Sequence, residues 1–149
     1  IGYSRHLNDT DLDEDGILYR NTMEEVLREA DYVSIHLSST PETVGIIGKK
    51  ELGMMKESAY LINTARGNIV DEQSLIAALM NGKIMGAGLD VFADEPVKPD
   101  NPLLSMEQVI VTPHVAGMTI ETSERLSRIG AMGILEVLTG NPVVTYPVN

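Results

Sequence analysis

Arg66, Asp90, Glu95 and His114 carry the groups in this chain best suited to chemistry, and each lies at or just past the end of a short apolar run. Arg66 follows Tyr60-Leu61-Ile62-Asn63, Asp90 and Glu95 follow Ala87-Gly88-Leu89, and His114 follows Val109-Ile110-Val111-Thr112. A guanidinium grips a carboxylate through two parallel hydrogen bonds. An imidazole exchanges a proton near neutral pH, and a carboxylate beside it favours the charged ring. Together they suit a small 2-oxo or 2-hydroxy acid, with one group for the acid's carboxylate and one for the proton on oxygen. A positioned acid or base typically contributes roughly 10²–10⁴-fold in rate.

Each residue also has a plainer reading. Arg66 alone reads as a solvated turn residue, Glu95 ahead of Pro96 as a loop acid, and His114 as a cap for the helix after it. Asp90 could be satisfied by backbone amides at a strand end. His36 reads as a strand-end histidine with a structural hydrogen bond, and His6 as a surface residue. What favours chemistry is that three strands end in the same way.

The elements that must position these groups alternate. Ile1-Gly2-Tyr3 reads as the end of a strand, and Ile17-Leu18-Tyr19 as a short apolar piece beyond an acidic loop. Thr22 and Glu25 form a capping box ahead of Met23, Val26, Leu27 and Ala30, which fall on one helical face. Tyr32 to Leu37 reads as a strand, Thr40-Pro41 as a helix entry, and Leu52 with Met55 as a short helix. After strand Tyr60–Asn63 comes a turn in which Gly67 is expected to take positive φ. A helix capped by Asp71 follows, with Glu72 in its first turn and Leu75, Ile76, Leu79 and Met80 on one face. Ala87–Val91 and Val109–Thr112 are further strands. A long helix starts near Thr119 and ends at Gly140 and Pro142, and its Gly130 and Gly133 read as places where another backbone comes close. Strands alternating with helices predict βαβ units and a parallel sheet, whose strand ends share one edge. Ligands of such sheets bind at that edge.

Composition narrows the class. Net charge is −11, with Asp9, Asp11, Asp13, Glu14 and Asp15 contributing a solvated acidic run, which argues against nucleic acid or an anionic membrane as partner. No apolar run approaches the ~20 residues of a membrane span. Cysteine is absent, so no thiolate catalyst or thiolate metal site exists, and a cytoplasmic location is expected. No metal site is expected. Hydrophobic content of 43% is ordinary for a globular protein.

The runs Asn63-Thr64-Ala65-Arg66-Gly67, Gly88-Leu89-Asp90-Val91-Phe92 with Glu95-Pro96, and Thr112-Pro113-His114-Val115-Ala116-Gly117 resemble the signatures of the D-isomer-specific 2-hydroxyacid dehydrogenases. The resemblance extends over nearly the whole chain. It implies a Rossmann-like doubly wound parallel sheet and NAD(P)-dependent hydride transfer between a 2-hydroxy acid and its 2-oxo acid, of the glyoxylate/hydroxypyruvate reductase or phosphoglycerate dehydrogenase kind. It further implies that Arg66 binds and polarises the substrate, that His114 is the acid/base, and that Glu95 orients His114 and favours its protonated form. Asp90 would hold the nicotinamide carboxamide, with Leu37, Thr64, Ala65 and Gly117 lining the cofactor, and Arg66 and His114 also beside it. Relatives are commonly homodimers.

The chain also departs from that pattern. The G-x-G-x-x-G loop is missing, and Gly86-Ala87-Gly88 enters a strand instead of leaving one. The doubly wound fold is therefore expected to be incomplete, lacking its first strand. Residues 1–118 would be a partial dinucleotide-binding domain, and 119–149 a connecting helix and tail returning to a substrate domain outside this chain. The chain reads as a fragment of a longer enzyme, inactive by itself. A dinucleotide-sensing corepressor-like protein and an inactive truncated product are the alternatives. At the strand end where an NAD enzyme usually places Asp or Glu, this chain offers Ser4 and Arg5, which suit a 2′-phosphate. NADP is therefore expected ahead of NAD.

Overall fold

Four runs of β-branched, aromatic and small residues form one sheet: Tyr32–Ile35 (β1), Tyr60–Asn63 (β2), Gly86–Leu89 (β3) and Val109–Val111 (β4). Their order is β1-β2-β3-β4 and every pairing is parallel, the expected α/β, Rossmann-like arrangement. Ile35, Asn63, Leu89 and Val111 lie in register, so the segments after all four strands leave from one edge. A parallel bridge between Gly2 and Tyr19 stands outside this sheet. This computed structural model describes residues 1–4 and 16–140; Arg5, His6 and the acidic run lie outside the described residues. The chain divides into two compact units, Ile1–His114 and Val115–Asn149.

In the first unit, Met23–Glu29 (α1), Lys49–Leu52 (α2) and Glu72–Met80 (α3) cover the sheet's apolar residues. The Thr22 box forms as its spacing demands: the Glu25 amide donates to the Thr22 hydroxyl at 3.3 Å, and the Glu25 carboxylate accepts the Thr22 amide at 2.9 Å. Leu27, Leu52, Leu61, Ile69, Leu75, Ile84 and Leu103 are almost fully buried, each favouring the fold by about 1.5–3 kcal/mol.

Two local expectations are corrected. Thr40-Pro41 opens only a turn, because the Thr43 hydroxyl donates to the Ser38 carbonyl at 2.7 Å and accepts the Thr40 amide at 2.8 Å, and Gly45 then takes a φ of 66°. Gly67 does not take positive φ. Its missing side chain matters for another reason: a Cβ there would overlap the Phe92 carbonyl and stand 2.6 Å from the Ala93 nitrogen. The loops after β2 and β3 meet backbone to backbone at this point.

The second unit holds Ile120–Leu138 (α4), begun by Thr119, whose hydroxyl accepts the Thr122 amide at 3.1 Å. Gly140 follows its C-terminus with a φ of 70°, the left-handed stop that glycine favours. Among the described residues nothing stands within 4 Å of a Cβ placed at Gly130 or Gly133.

Candidate active site

Three loops at the C-terminal edge of the first unit carry the candidate groups. The loop after β2 is shaped by Asn63, whose buried side chain accepts the Ala65 amide at 3.1 Å and donates to the Arg66 carbonyl at 3.0 Å. That folds Thr64-Ala65-Arg66 into a tight turn and leaves Arg66 exposed, its guanidinium donating to the Ala65 carbonyl at 2.6 Å. On the other side, the Gly45 amide donates to the Asn68 carbonyl at 2.8 Å, and Ile47 bridges to Val70.

The loop after β3 presents Glu95. One carboxylate oxygen accepts the Phe92 amide at 3.0 Å and the other meets His114 Nδ1 at 2.9 Å. The His114 contact, the Phe92 amide and the nearby positive charge of Arg66 hold the Glu95 carboxyl below the usual carboxylate range, against a smaller opposing effect of burial. An ionised Glu95 only accepts, so Nδ1 carries the hydrogen of the shared bond, and Nε2 is the nitrogen whose proton can come and go.

His114 adopts a φ of 56°, unusual for a residue with a side chain. Its amide donates to the Asp90 carbonyl at 2.9 Å, while the Thr112 hydroxyl donates to the buried Asp90 carboxylate at 2.5 Å. Asp90 thus ties the end of β3 to the segment that delivers the imidazole. This backbone is over-determined, as strained positions at functional sites require.

Beside Arg66, a cleft of about 430 Å³ opens between the ends of β1 and β2, lined by Ile35 to Ser39 and Thr64 to Arg66. Leu37, Thr64, Ala65 and Arg66 meet there. His36 also lines it, with Nε2 2.9 Å from the Ser34 hydroxyl, the structural bond foreseen for it. The size and mixed lining of the cleft fit one wall of a dinucleotide site. The phosphate cradle G-x-G-x-x-G is not among the 149 residues. Ser4 is half-buried near the Gly2–Tyr19 bridge, Arg5 lies outside the described residues, and Gly117 belongs to the second unit. Among the described residues no cluster of His, Asp and Glu could hold a metal, and no helix is long and apolar enough to cross a membrane. Sequence reasoning assigned no role to Asn63, because an asparagine ending a strand carries no sign of which amides it will meet.

Parallel strands flanked by helices, with a paired imidazole and carboxylate past their C-terminal edge, define a Rossmann-like α/β unit. Residues 1–116 match the model of the D-isomer specific 2-hydroxyacid dehydrogenase NAD binding domain, and the chain belongs to that family. The chain is 44% identical over 118 residues to a glyoxylate reductase of Korarchaeum cryptofilum, covering 79% of this chain and 36% of that protein. It is equally identical over 119 residues to glyoxylate/hydroxypyruvate reductase B of Yersinia pestis, covering 80% and 36%. Among solved structures, D-lactate dehydrogenase with NAD+ from Lactobacillus jensenii superposes with a TM-score of 0.87 at 32% identity, covering 99% of this chain and 47% of that one. A D-isomer specific 2-hydroxyacid dehydrogenase from Xanthobacter autotrophicus in complex with NADPH gives 0.74 at 35% identity, covering 88% and 54%. The chain thus spans little more than a third of the length of the curated relatives it matches.

Proposed function

We propose that this chain supplies the acid/base and substrate-gripping half of an NAD(P)-dependent reductase of small 2-oxo acids such as glyoxylate or hydroxypyruvate. The observation that carries this reading is the 2.9 Å contact of Glu95 with His114 Nδ1, close to the Arg66 turn on one sheet edge. Arg66 holds the substrate carboxylate by paired hydrogen bonds and draws charge from the adjoining carbonyl. When bound, the reduced cofactor supplies the hydride that C2 of the 2-oxo acid takes up. His114 delivers the proton from Nε2 to the oxygen on C2, completing the 2-hydroxy acid, and takes it back in the reverse direction. Glu95 keeps the imidazole turned and offsets its charge. Asp90, Leu37, Thr64 and Ala65 serve the nicotinamide and adenosine sides of the cofactor, and Ser4 with Arg5 favours NADP over NAD. The same reading takes the full-length protein as a cytoplasmic homodimer.

Steady-state kinetics of the full-length protein test this. His114→Ala should lower kcat by roughly 10²–10⁴-fold, and Arg66→Lys should raise KM for the 2-oxo acid, because an ammonium cannot form the paired hydrogen bonds of a guanidinium. A His114→Ala variant with wild-type kcat contradicts the proton role. An NADH preference above tenfold in kcat/KM contradicts the NADP assignment. Tight peptide binding with no turnover on any 2-oxo acid would favour the corepressor reading instead.

A further inference from the structure

The loop that carries Glu95 is held by more than its own turn. Glu72, at the first position of α3, reaches it with both carboxylate oxygens: Oε2 accepts the Ala93 amide at 3.2 Å and Oε1 accepts Asn101 Nδ2 at 2.9 Å. Asn101 has no freedom to reverse its amide, because its Oδ1 accepts the Leu103 amide at 3.0 Å and caps the short 3₁₀ turn Pro102–Ser105. Two donors therefore face Glu72. A carboxylate satisfies both, whereas an amide satisfies one and opposes the other. The residue before Ala93, Phe92, rests on Gly67 and donates its own amide to Glu95 at 3.0 Å.

We infer that Glu72 is a positioning residue: its carboxylate clamps the Phe92–Ala93 peptide, and through it Glu95 and His114, at a set distance from the Arg66 turn. The inference rests on the proposed roles of Arg66, Glu95 and His114. A slackened Ala93 amide shifts the neighbouring Phe92 amide, and that shift passes through Glu95 to the imidazole.

The test uses the full-length protein with Glu72→Gln, Asn101→Asp and the two substitutions combined. Glu72→Gln sets amide against amide, and Asn101→Asp sets carboxylate against carboxylate. Each should lower kcat for 2-oxo acid reduction about 3- to 10-fold, the worth of one hydrogen bond, and displace the acid limb of the kcat/KM profile. In the double variant, one oxygen of the new carboxylate at 101 keeps the Leu103 amide and the other accepts from the new amide at 72. Both kcat and the pH profile should then return to within about twofold of wild type, a coupling that a double-mutant cycle isolates. Wild-type kcat and pH profile in both single variants, or a double variant no better than the worse single, overturns the inference. Wild-type protein inactive on every 2-oxo acid defeats the proposed reaction on its own. Hydrogen exchange at the Ala93 amide then still decides the clamp. Exchange slow in wild type but at least about tenfold faster in Glu72→Ala, which removes both acceptors, supports it, and equal exchange in the two overturns it.

Discussion

Gly67→Ala should damage this site more than any other single methyl. The Cβ it adds would overlap the Phe92 carbonyl and stand 2.6 Å from the Ala93 nitrogen, all backbone atoms that cannot turn aside as a side chain can. Ordinary contact begins near 3.4 Å, so the Ala93 nitrogen alone must retreat by about 0.8 Å, and the Phe92 carbonyl by more. The Arg66 turn has no compensating freedom, being pinned by Asn63 on one side and by Gly45 and Ile47 on the other. Overpacking of this kind costs about 1–3 kcal/mol. A displacement near 1 Å between groups acting on one substrate costs on the order of 10²-fold in rate. Denaturant unfolding and steady-state kinetics of the full-length Gly67→Ala protein measure both. A variant with kcat/KM within about twofold of wild type would refute the claim that this backbone contact sets the spacing of the site.

Other perturbations have defined outcomes. The Glu95 carboxyl lies below its ordinary pKa in the folded protein. It therefore adds stability above the unfolded value, and that stability disappears as pH falls through the depressed folded value. With the side chain 39% exposed, the increment is screened to below about 1 kcal/mol. Unfolding free energies of wild type and Glu95→Gln should draw together below pH 4.5, the ordinary value, and parallel curves would contradict the assignment. Leu75→Ala removes a residue that is 2% exposed and should cost about 2–5 kcal/mol by chemical denaturation, with a loss under 1 kcal/mol opposing its place in the core. A purified chain of these 149 residues, without a G-x-G-x-x-G segment, should show no turnover of glyoxylate with NADPH or NADH. Measurable turnover would contradict the need for that cradle.

Much of this arrangement was legible in the residues. Tyr60–Asn63 is read as a strand at its observed bounds, and Thr22 with Glu25 as the box that forms, because each depends only on neighbours along the chain. The pairing of Glu95 with His114 accords with one rule, that parallel strands share a C-terminal edge. What escaped the sequence depends on partners far along the chain. Gly67 reads as a turn glycine from its own neighbours, whereas its reason is a carbonyl 25 positions later. Glu72 looked like a favourable charge at a helix start, and nothing local marks Ala93 and Asn101 as its partners. Pro41 has the right type for a first helical position, but the Thr43 hydroxyl and Gly45 close a turn there instead.

The central claim is that guanidinium, carboxylate and imidazole address one small acid. A crystal structure of the full-length protein with NADPH and oxamate, an unreactive 2-oxo acid mimic, measures this directly. The account predicts the oxamate carboxylate within hydrogen-bond distance of Arg66 and its carbonyl oxygen within reach of His114 Nε2, with Nδ1 still on Glu95. Oxamate bound elsewhere, or an imidazole turned away from it in the occupied site, would contradict the account.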